Sequence, residues 1–473
     1  MKSVISILFG LLVCALLNFN AEAASKVRIR MNFQNTLLNK QSLPPNMDIA
    51  GQDLKNKSID IIGSKEYFNL LKNSGYPVEI VDTQTKIDPR YLTPEKILNL
   101  VKQVAADYPN LVHVEKIGTS IQGRPILGVR ISTSENLDSK PVILFNGMHH
   151  ARELMTTEVT TDIITYLVKN YDNLDTPWVT AWLDRLAIWV VPQMNPDGNN
   201  IVWQKDSWWR KNARAIEDRI YGVDINRNYP FQWGMCKGSS GVPADQTYRG
   251  AKAASEPETQ ALMDFVKKYN PSINVSYHSY SELVIAPYGC ANQFTPENFI
   301  VADIGAALAK TLKTDDGKGT YAYGTGWEII YPVDGEDISW MYNEANTMAY
   351  VIEVNASAQG FQPDFGEWRN KTVLGQRAGW QFLLNRLMTG SQVRGRMLDA
   401  STGAPVEGSI YLNEVKYRSE KPRKSKNGFY QKMLAPGSYD LIFSAPGYES
   451  QSIAVSLDRS AIVQDVYFER KGK

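Results

Sequence analysis

Residues 141–153, PVILFNGMHHARE, place His149, His150 and Glu153 almost side by side. A histidine and a carboxylate three or four positions apart reach one point, on a turn or on the first turn of a helix. Neutral imidazole and carboxylate are donors that zinc takes, and a catalytic zinc site needs a third protein donor and an open position for water. The chain has only four histidines, His113, His149, His150 and His278. Two of them at one strand end give the cluster weight, although an exposed polar helix start is the bland alternative. Spacing admits either His149 or His150.

Three other stretches can complete such a site. His278 ends the alternating run Ile273-Asn274-Val275-Ser276 and can supply the third donor. Glu353 sits inside the apolar run Val351-Ile352-Glu353-Val354. A buried carboxyl is costly unless it is paired or its raised pKa is used, so Glu353 facing a metal would be a general base; the alternative is a strand-edge glutamate in solvent. Arg152, Arg210 and Arg227 stand in polar settings. Arginine grips carboxylates with paired hydrogen bonds and stabilises oxyanions.

The elements that must position these groups follow from periodicity. Val142 to Phe145 predicts a buried strand, stopped by the turn signal Asn146-Gly147. Further strands are expected at 113–117, 125–132, 186–192, 272–278, 283–287 and 348–354, with helices near 155–170, 256–268, 298–312 and 336–347. Thr93-Pro94 opens another helix. Strand–helix alternation predicts an α/β domain with a mixed, mostly parallel twisted sheet and helices on both faces, its ligands at the carboxyl ends of strands.

The flanks differ. Lys2, the apolar run Ile5–Leu17 and Ala21-Glu22-Ala23 predict a signal peptide over 1–23, too short to span a membrane comfortably, and therefore export. Cys236 and Cys290 then remain, either paired or as two buried thiols. Residues 24–90 predict a small α+β unit, with strands around 27–30, 59–62 and 78–81, a helix from Ser64 and a polar linker from Asp82 to Arg90. After about residue 390, short alternating segments punctuated by Gly and Pro predict a β-sandwich over 391–473, with the basic run Arg418–Lys426 as a solvated loop. The formal net charge of +1 offers nothing to nucleic acid or an anionic membrane.

Over residues 91–388 the chain resembles the zinc metallocarboxypeptidases of the carboxypeptidase A and T type. The motifs are His150-Ala151-Arg152-Glu153, Asn195-Pro196-Asp197-Gly198, Trp209-Arg210-Lys211, Asp224-Ile225-Asn226-Arg227-Asn228, Ser255-Glu256-Pro257-Glu258, His278-Ser279-Tyr280, Tyr331 and Glu353. The resemblance implies one Zn2+ held by His150, Glu153 and His278, choosing His150 over His149. It implies Glu353 as the base that activates the zinc water, and Arg210 as stabiliser of the oxyanion. Asn226 and Arg227 would grip the substrate's terminal carboxylate, with Tyr331 closing over it and Arg152, Ser279 and Tyr280 along the upstream subsites. Ile338 falls where related enzymes set specificity and implies apolar or aromatic C-terminal residues; Asp334, Glu336 and Asp337 beside it leave basic ones open. Residues 24–90 resemble a bacterial-type pro-segment, and 391–473 the transthyretin-like domain of regulatory carboxypeptidases.

The expectation is a secreted, monomeric zinc carboxypeptidase made as a proenzyme and acting on peptides with a free C-terminus. A cell-wall peptide hydrolase of the same fold and a non-catalytic binding protein are the alternatives.

Overall fold

The structure, a computed structural model, describes residues 26–32, 48–83, 86–133, 139–216, 219–220 and 222–472. The expected signal peptide lies outside the described residues. By compactness the chain divides into two units, 1–87 and 88–473.

In the first unit an antiparallel sheet of order β2-β3-β1-β4 is built from β1 (Lys26–Asn32), β2 (Asp48–Asp53), β3 (Ser58–Ser64) and β4 (Val78–Asp82). The helix α1 (Lys65–Asn73) starts where Ser64 Oγ accepts the Tyr67 N–H, and Met31, Ile59, Ile61 and Leu71 form the core. The three expected strands and the helix are present; β2, whose sequence DIAGQD lacks apolar alternation, is additional.

The second unit is built around an eight-stranded mixed sheet of order β13-β12-β14-β11-β7-β8-β6-β5. Its strands are β5 (Val112–Thr119), β6 (Pro125–Ile131), β7 (Val142–Gly147), β8 (Ala187–Val191), β11 (Ile273–Ser279), β12 (Leu283–Ala286), β13 (Ala322–Thr325) and β14 (Met348–Val354), with a small ribbon, β9 (Ala215–Ile216) and β10 (Arg219–Ile220), outside it. β8, β7, β11 and β14 run parallel, so their carboxyl ends share one edge. The helices are α2 (Pro94–Asp107), α3 (Met155–Lys169), α4 (Pro177–Arg185), α5 (Pro196–Gln204), α6 (Pro257–Tyr269), α7 (Asn298–Thr311), α8 (Gly326–Ile329), α9 (Asp337–Ala345) and α10 (Phe365–Thr389). α3 packs on β7 and β11, α7 on β12 and β13, and α9 on β14.

One local expectation is corrected. Asn146-Gly147 is not the turn: β7 runs through Gly147, and Met148, with φ 59°, turns the chain. Gly147 is small for another reason, since a Cβ there would lie 3.2 Å from Thr156 O and Thr160 Cγ2 of α3.

After α10 come β15 (Gln392–Asp399), β16 (Ser409–Leu412), β17 (Arg423–Lys424), β18 (Phe429–Met433), β19 (Gly437–Ser444), β20 (Gln451–Leu457), β21 (Ala461–Val463) and β22 (Val466–Phe468). They form two sheets, β18-β15-β21 with β22 on β15, and β17-β16-β19-β20. Tyr430 of the first meets Phe443 of the second edge-on at 5.1 Å, so the sheets share a core.

This layer is seamed onto the α/β layer by polar contacts. Lys432 Nζ lies 2.5 and 2.6 Å from the two carboxylate oxygens of Glu297, both residues being essentially unexposed. Arg423 is buried as well, donating to the carbonyls of Asn270, Pro271 and Ala345. The basic run Arg418–Lys426 is therefore not a solvated loop. Its centre is part of the seam, because a guanidinium carries enough donors to satisfy carbonyls left at helix and strand ends.

Candidate active site

The site lies at the shared carboxyl edge of the parallel strands. Gly147, Tyr277 and Ile352 are register partners across β7, β11 and β14, and one step on, His278 pairs with Glu353. Past Met148 the chain places His149, His150 and Glu153 over that edge before α3 begins at Met155. The Ala151 N–H donates to Arg210 O at 2.9 Å, and Asn195 Nδ2 to both His149 O and Lys211 O at 3.1 Å. These bonds stitch Arg210 to the histidine loop.

Three donors converge. His150 Nδ1 is 2.8 Å from Glu153 Oε1, and His278 Nδ1 is 3.1 Å from both His150 Nδ1 and Glu153 Oε2. All three ligand atoms lie within 4.8 Å of one another, and all three residues are buried. Two imidazole nitrogens and one carboxylate suit zinc, with coordination left for water or substrate. His149 turns away, its Nε2 3.0 Å from the Tyr229 hydroxyl. The structure thus groups His150, not His149, with Glu153.

The cage is braced from behind. His150 Nε2 lies 3.2 Å from Asp224 Oδ1, while Asp224 Oδ2 accepts from Arg210 Nε and Nη2 at 3.1 and 2.9 Å. Such a carboxylate fixes which imidazole nitrogen is free for a metal. The Ser279 N–H donates to Glu153 Oε2 at 3.3 Å. Burial alone would raise the Glu153 carboxyl, but His150 and His278 outweigh it and hold it well below its ordinary value. Asp224 belongs to the same motif as Asn226 and Arg227, yet its orienting role could not be read from the sequence without knowing that it faces His150.

Glu353 is the one partly exposed residue of β14. Burial raises its carboxyl, with Glu153 adding to the rise and His278, Arg210 and Arg227 opposing it. Asn226 and Arg227 lie in a short 3-10 turn, both buried, with Asn226 Oδ1 accepting the Asp337 N–H at 3.0 Å. Arg227 Nη1 donates to Asn226 O at 2.8 Å. Tyr331 is half-buried just after α8.

The remaining expected residues line or support the surroundings. Arg152 is wholly buried, its guanidinium 4.3 Å from the Phe361 ring centre, and Tyr280 meets the same ring at 4.8 Å. Ile338 is fully buried within the apolar cluster that includes Leu283 and Ile285. Asp334, Glu336 and Asp337 are buried too. Asp334 accepts from the N–H groups of Cys236 and Gly238 and from Ser239 Oγ. Glu336 accepts from Ser339 Oγ, and a Cβ on Gly289 would lie 2.7 Å from Glu336 Oε1. Burial pushes Glu336 up to about 7. Cys236 and Cys290 form a disulfide.

Residues 97–372 match the zinc carboxypeptidase family, more than half of the chain, and the chain belongs to that family. It is 32% identical to zinc carboxypeptidase A 1 of Anopheles gambiae over 59% of this chain and 61% of that protein. It is 32% identical to carboxypeptidase B of Homo sapiens over 56% of this chain and 63% of that protein. The chain thus spans about three-fifths of the length of these two relatives. Among solved structures, a carboxypeptidase A from Helicoverpa armigera superposes with a TM-score of 0.64 at 21% identity, over 77% of this chain and 99% of that one, and so shares the fold.

Proposed function

We propose that this chain is a zinc-dependent carboxypeptidase that hydrolyses the last peptide bond of substrates with a free C-terminus. The observation that carries the reading is the convergence of His150, Glu153 and His278 beside Glu353, with Arg210 and Arg227 buried close by. His150 and His278 through Nδ1, with Glu153, would hold the zinc ion, which supplies Lewis acidity toward the scissile carbonyl and toward water. Glu353 takes a proton from the attacking water and gives it to the leaving amine. Arg210, aimed by Asp224, stabilises the oxyanion. Asn226 and Arg227 bind the terminal carboxylate, Tyr331 covers it, and Ser279 and Tyr280 lie upstream. A carboxylate clamp at a fixed distance from the reacting bond is what limits cleavage to one residue.

The buried Ile338 favours an apolar or aromatic C-terminal side chain. Glu336, once ionised, would extend acceptance to basic ones. Residues 1–23 are a signal peptide, 24–90 a pro-segment, 91–388 the catalytic domain and 391–473 a transthyretin-like β-domain, in a secreted monomeric proenzyme. The compact first unit ending at Ile87 supports the pro-segment assignment. Among the described residues no helix is long and apolar enough to cross a membrane.

The test is hydrolysis of matched peptides with free and amidated C-termini, with and without chelator. Glu353→Gln should lower kcat by about 10²- to 10⁴-fold, the range for a positioned general base, while zinc stays bound. Equal cleavage of amidated peptides, or full activity in Glu353→Gln, would refute the reading.

A further inference from the structure

The two histidines of the cage are supported differently. His150 rests its second nitrogen on a carboxylate. His278 Nε2 has instead Ser276 Oγ at 3.4 Å and Asn226 Nδ2 at 3.5 Å. If His278 gives Nδ1 to a metal, as the proposed function requires, Nε2 carries a proton and needs an acceptor. Asn226 cannot be that acceptor: its Oδ1 already receives the Asp337 N–H, which turns its amide NH2 toward His278. Ser276 Oγ is left.

The surrounding bonds make this assignment self-consistent. Asn146 Nδ2 donates to Asn274 Oδ1 at 2.9 Å, so Asn146 Oδ1 faces Ser276 Oγ as an acceptor at 3.0 Å. Ser276 therefore spends its one proton on Asn146 and keeps its lone pairs. His149 Nδ1, 3.3 Å from Ser276 Oγ, then donates to it, and His149 Nε2 accepts from the Tyr229 hydroxyl at 3.0 Å. His149 stacks on His278 with 20° between ring planes. Every member is buried. Asp337, 3.9 Å from His149 Nε2, is beyond hydrogen-bond reach of that ring; its carboxylate faces Ser276 and competes with Asn146 only for the one hydroxyl proton, so the lone pairs of Ser276 stay with the imidazoles.

We propose that Ser276 is the positioning residue for the metal ligand His278, and that His149 and Tyr229 poise it, in a chain Tyr229–His149–Ser276–His278. This assigns a role to His149, and it rests on the metal reading above. The chain fixes the tautomer and ring angle of one ligand from residues that never touch the metal.

The experiment is zinc affinity by chelator competition on the full chain, with the visible absorption spectrum of the cobalt-substituted protein. Ser276→Ala should weaken zinc 10- to 100-fold, as loss of such a supporting bond does, and shift the cobalt bands; Ser276→Thr should restore both. Tyr229→Phe, which deletes one hydroxyl, should move affinity in the same direction by less and covers the case in which Ser276→Ala does not fold. Unchanged affinity and cobalt spectrum in Ser276→Ala and Tyr229→Phe, with stoichiometric zinc in the parent, would overturn the positioning role alone. A parent protein that binds no zinc would overturn the metal reading and this inference with it.

Discussion

Lys432→Met tests the seam between the two layers of the second unit. Glu297 stands at the N-cap position of α7 with its carboxylate turned to the seam, and it is unexposed; besides Lys432 it accepts from Tyr417 Oη and from Asn346 Nδ2 at 2.9 Å. Lys432 Nζ in turn reaches Asn346 Oδ1 at 2.6 Å. Burial alone would raise the Glu297 carboxyl, but Lys432, then Tyr417 and Asn346, hold it below its ordinary value. Burial pulls the Lys432 ammonium down, with Glu297 opposing. Methionine fills the same space and removes the charge. Stranding one partner of a buried ion pair costs roughly 3–5 kcal/mol. Because Tyr417 and Asn346 still donate, the lower end is expected, about 3 kcal/mol at neutral pH.

The pH dependence carries the sign. In the parent the depressed carboxyl contributes stability that is present above the unfolded pKa of about 4.3 and lost as pH falls through the folded value. In Lys432→Met burial dominates and the carboxyl is raised, so it protonates early as pH falls. The deficit should therefore shrink between about pH 7 and 4, where the stranded charge disappears. Guanidinium unfolding followed by fluorescence and far-UV circular dichroism reads it. A deficit below about 1 kcal/mol at neutral pH, the scale of an exposed pair, or one that grows on acidification, would refute the buried-lock argument.

Two further outcomes follow from the geometry. Glu336 is raised to about 7 by burial, with Asp337 and Asp334 adding and Ser339 and Arg227 opposing, so it is neutral below that value and anionic above it; the ratio of kcat/KM for C-terminal Lys over Leu should rise with pH through that value, and a ratio that rises equally in Glu336→Gln would exclude this carboxyl as the cause. In β15, a Cβ at Gly395 would lie 1.9 Å from Gln464 O, a clash only a backbone shift can relieve; Gly395→Ala should destabilise by about 1–3 kcal/mol, as overpacking does, and an unchanged unfolding midpoint would show that the β15 neighbourhood gives way freely.

The sequence carried the strands of the site best. The expected strand 348–354 coincides with β14, and those through 145 and 278 end within two residues of the ends of β7 and β11. These are buried strands whose apolar runs have few alternative uses. α10 was harder to see because Gly366, Gly375 and Gly379 interrupt it; Gly379 is there for close packing, since a Cβ would lie 2.7 Å from Leu312 Cδ2. α4 and α5 carry only weak apolar stripes, so periodicity does not reveal them; their start is marked instead by Pro after Thr176 and after Asn195. Ser276 and Tyr229 were invisible as functional residues, because what they do depends on which face of a sheet and which turn meet in space. Arg423 is hidden for a related reason: a basic run has the composition of a solvated loop, and its burial depends on carbonyls of Asn270, Pro271 and Ala345 that only the neighbouring layer supplies.

The register of the sheet explains why so polar a site can sit on so apolar a frame. Side chains alternate faces along a strand, so a slip of one residue would send a side chain to the opposite face. His278 and Glu353 are partners in the parallel β11–β14 pair, and five further pairs precede them, from Ile273↔Met348 to Tyr277↔Ile352. Most of these preceding residues are apolar and all are buried, so slipping β14 to move Glu353 would expose them. The proposed ligand and base are thus held together by the hydrophobic cost of misregister, and the loop bonds through Asn195 and Ala151 need only bring His150, Glu153 and Arg210 to an edge that is already fixed.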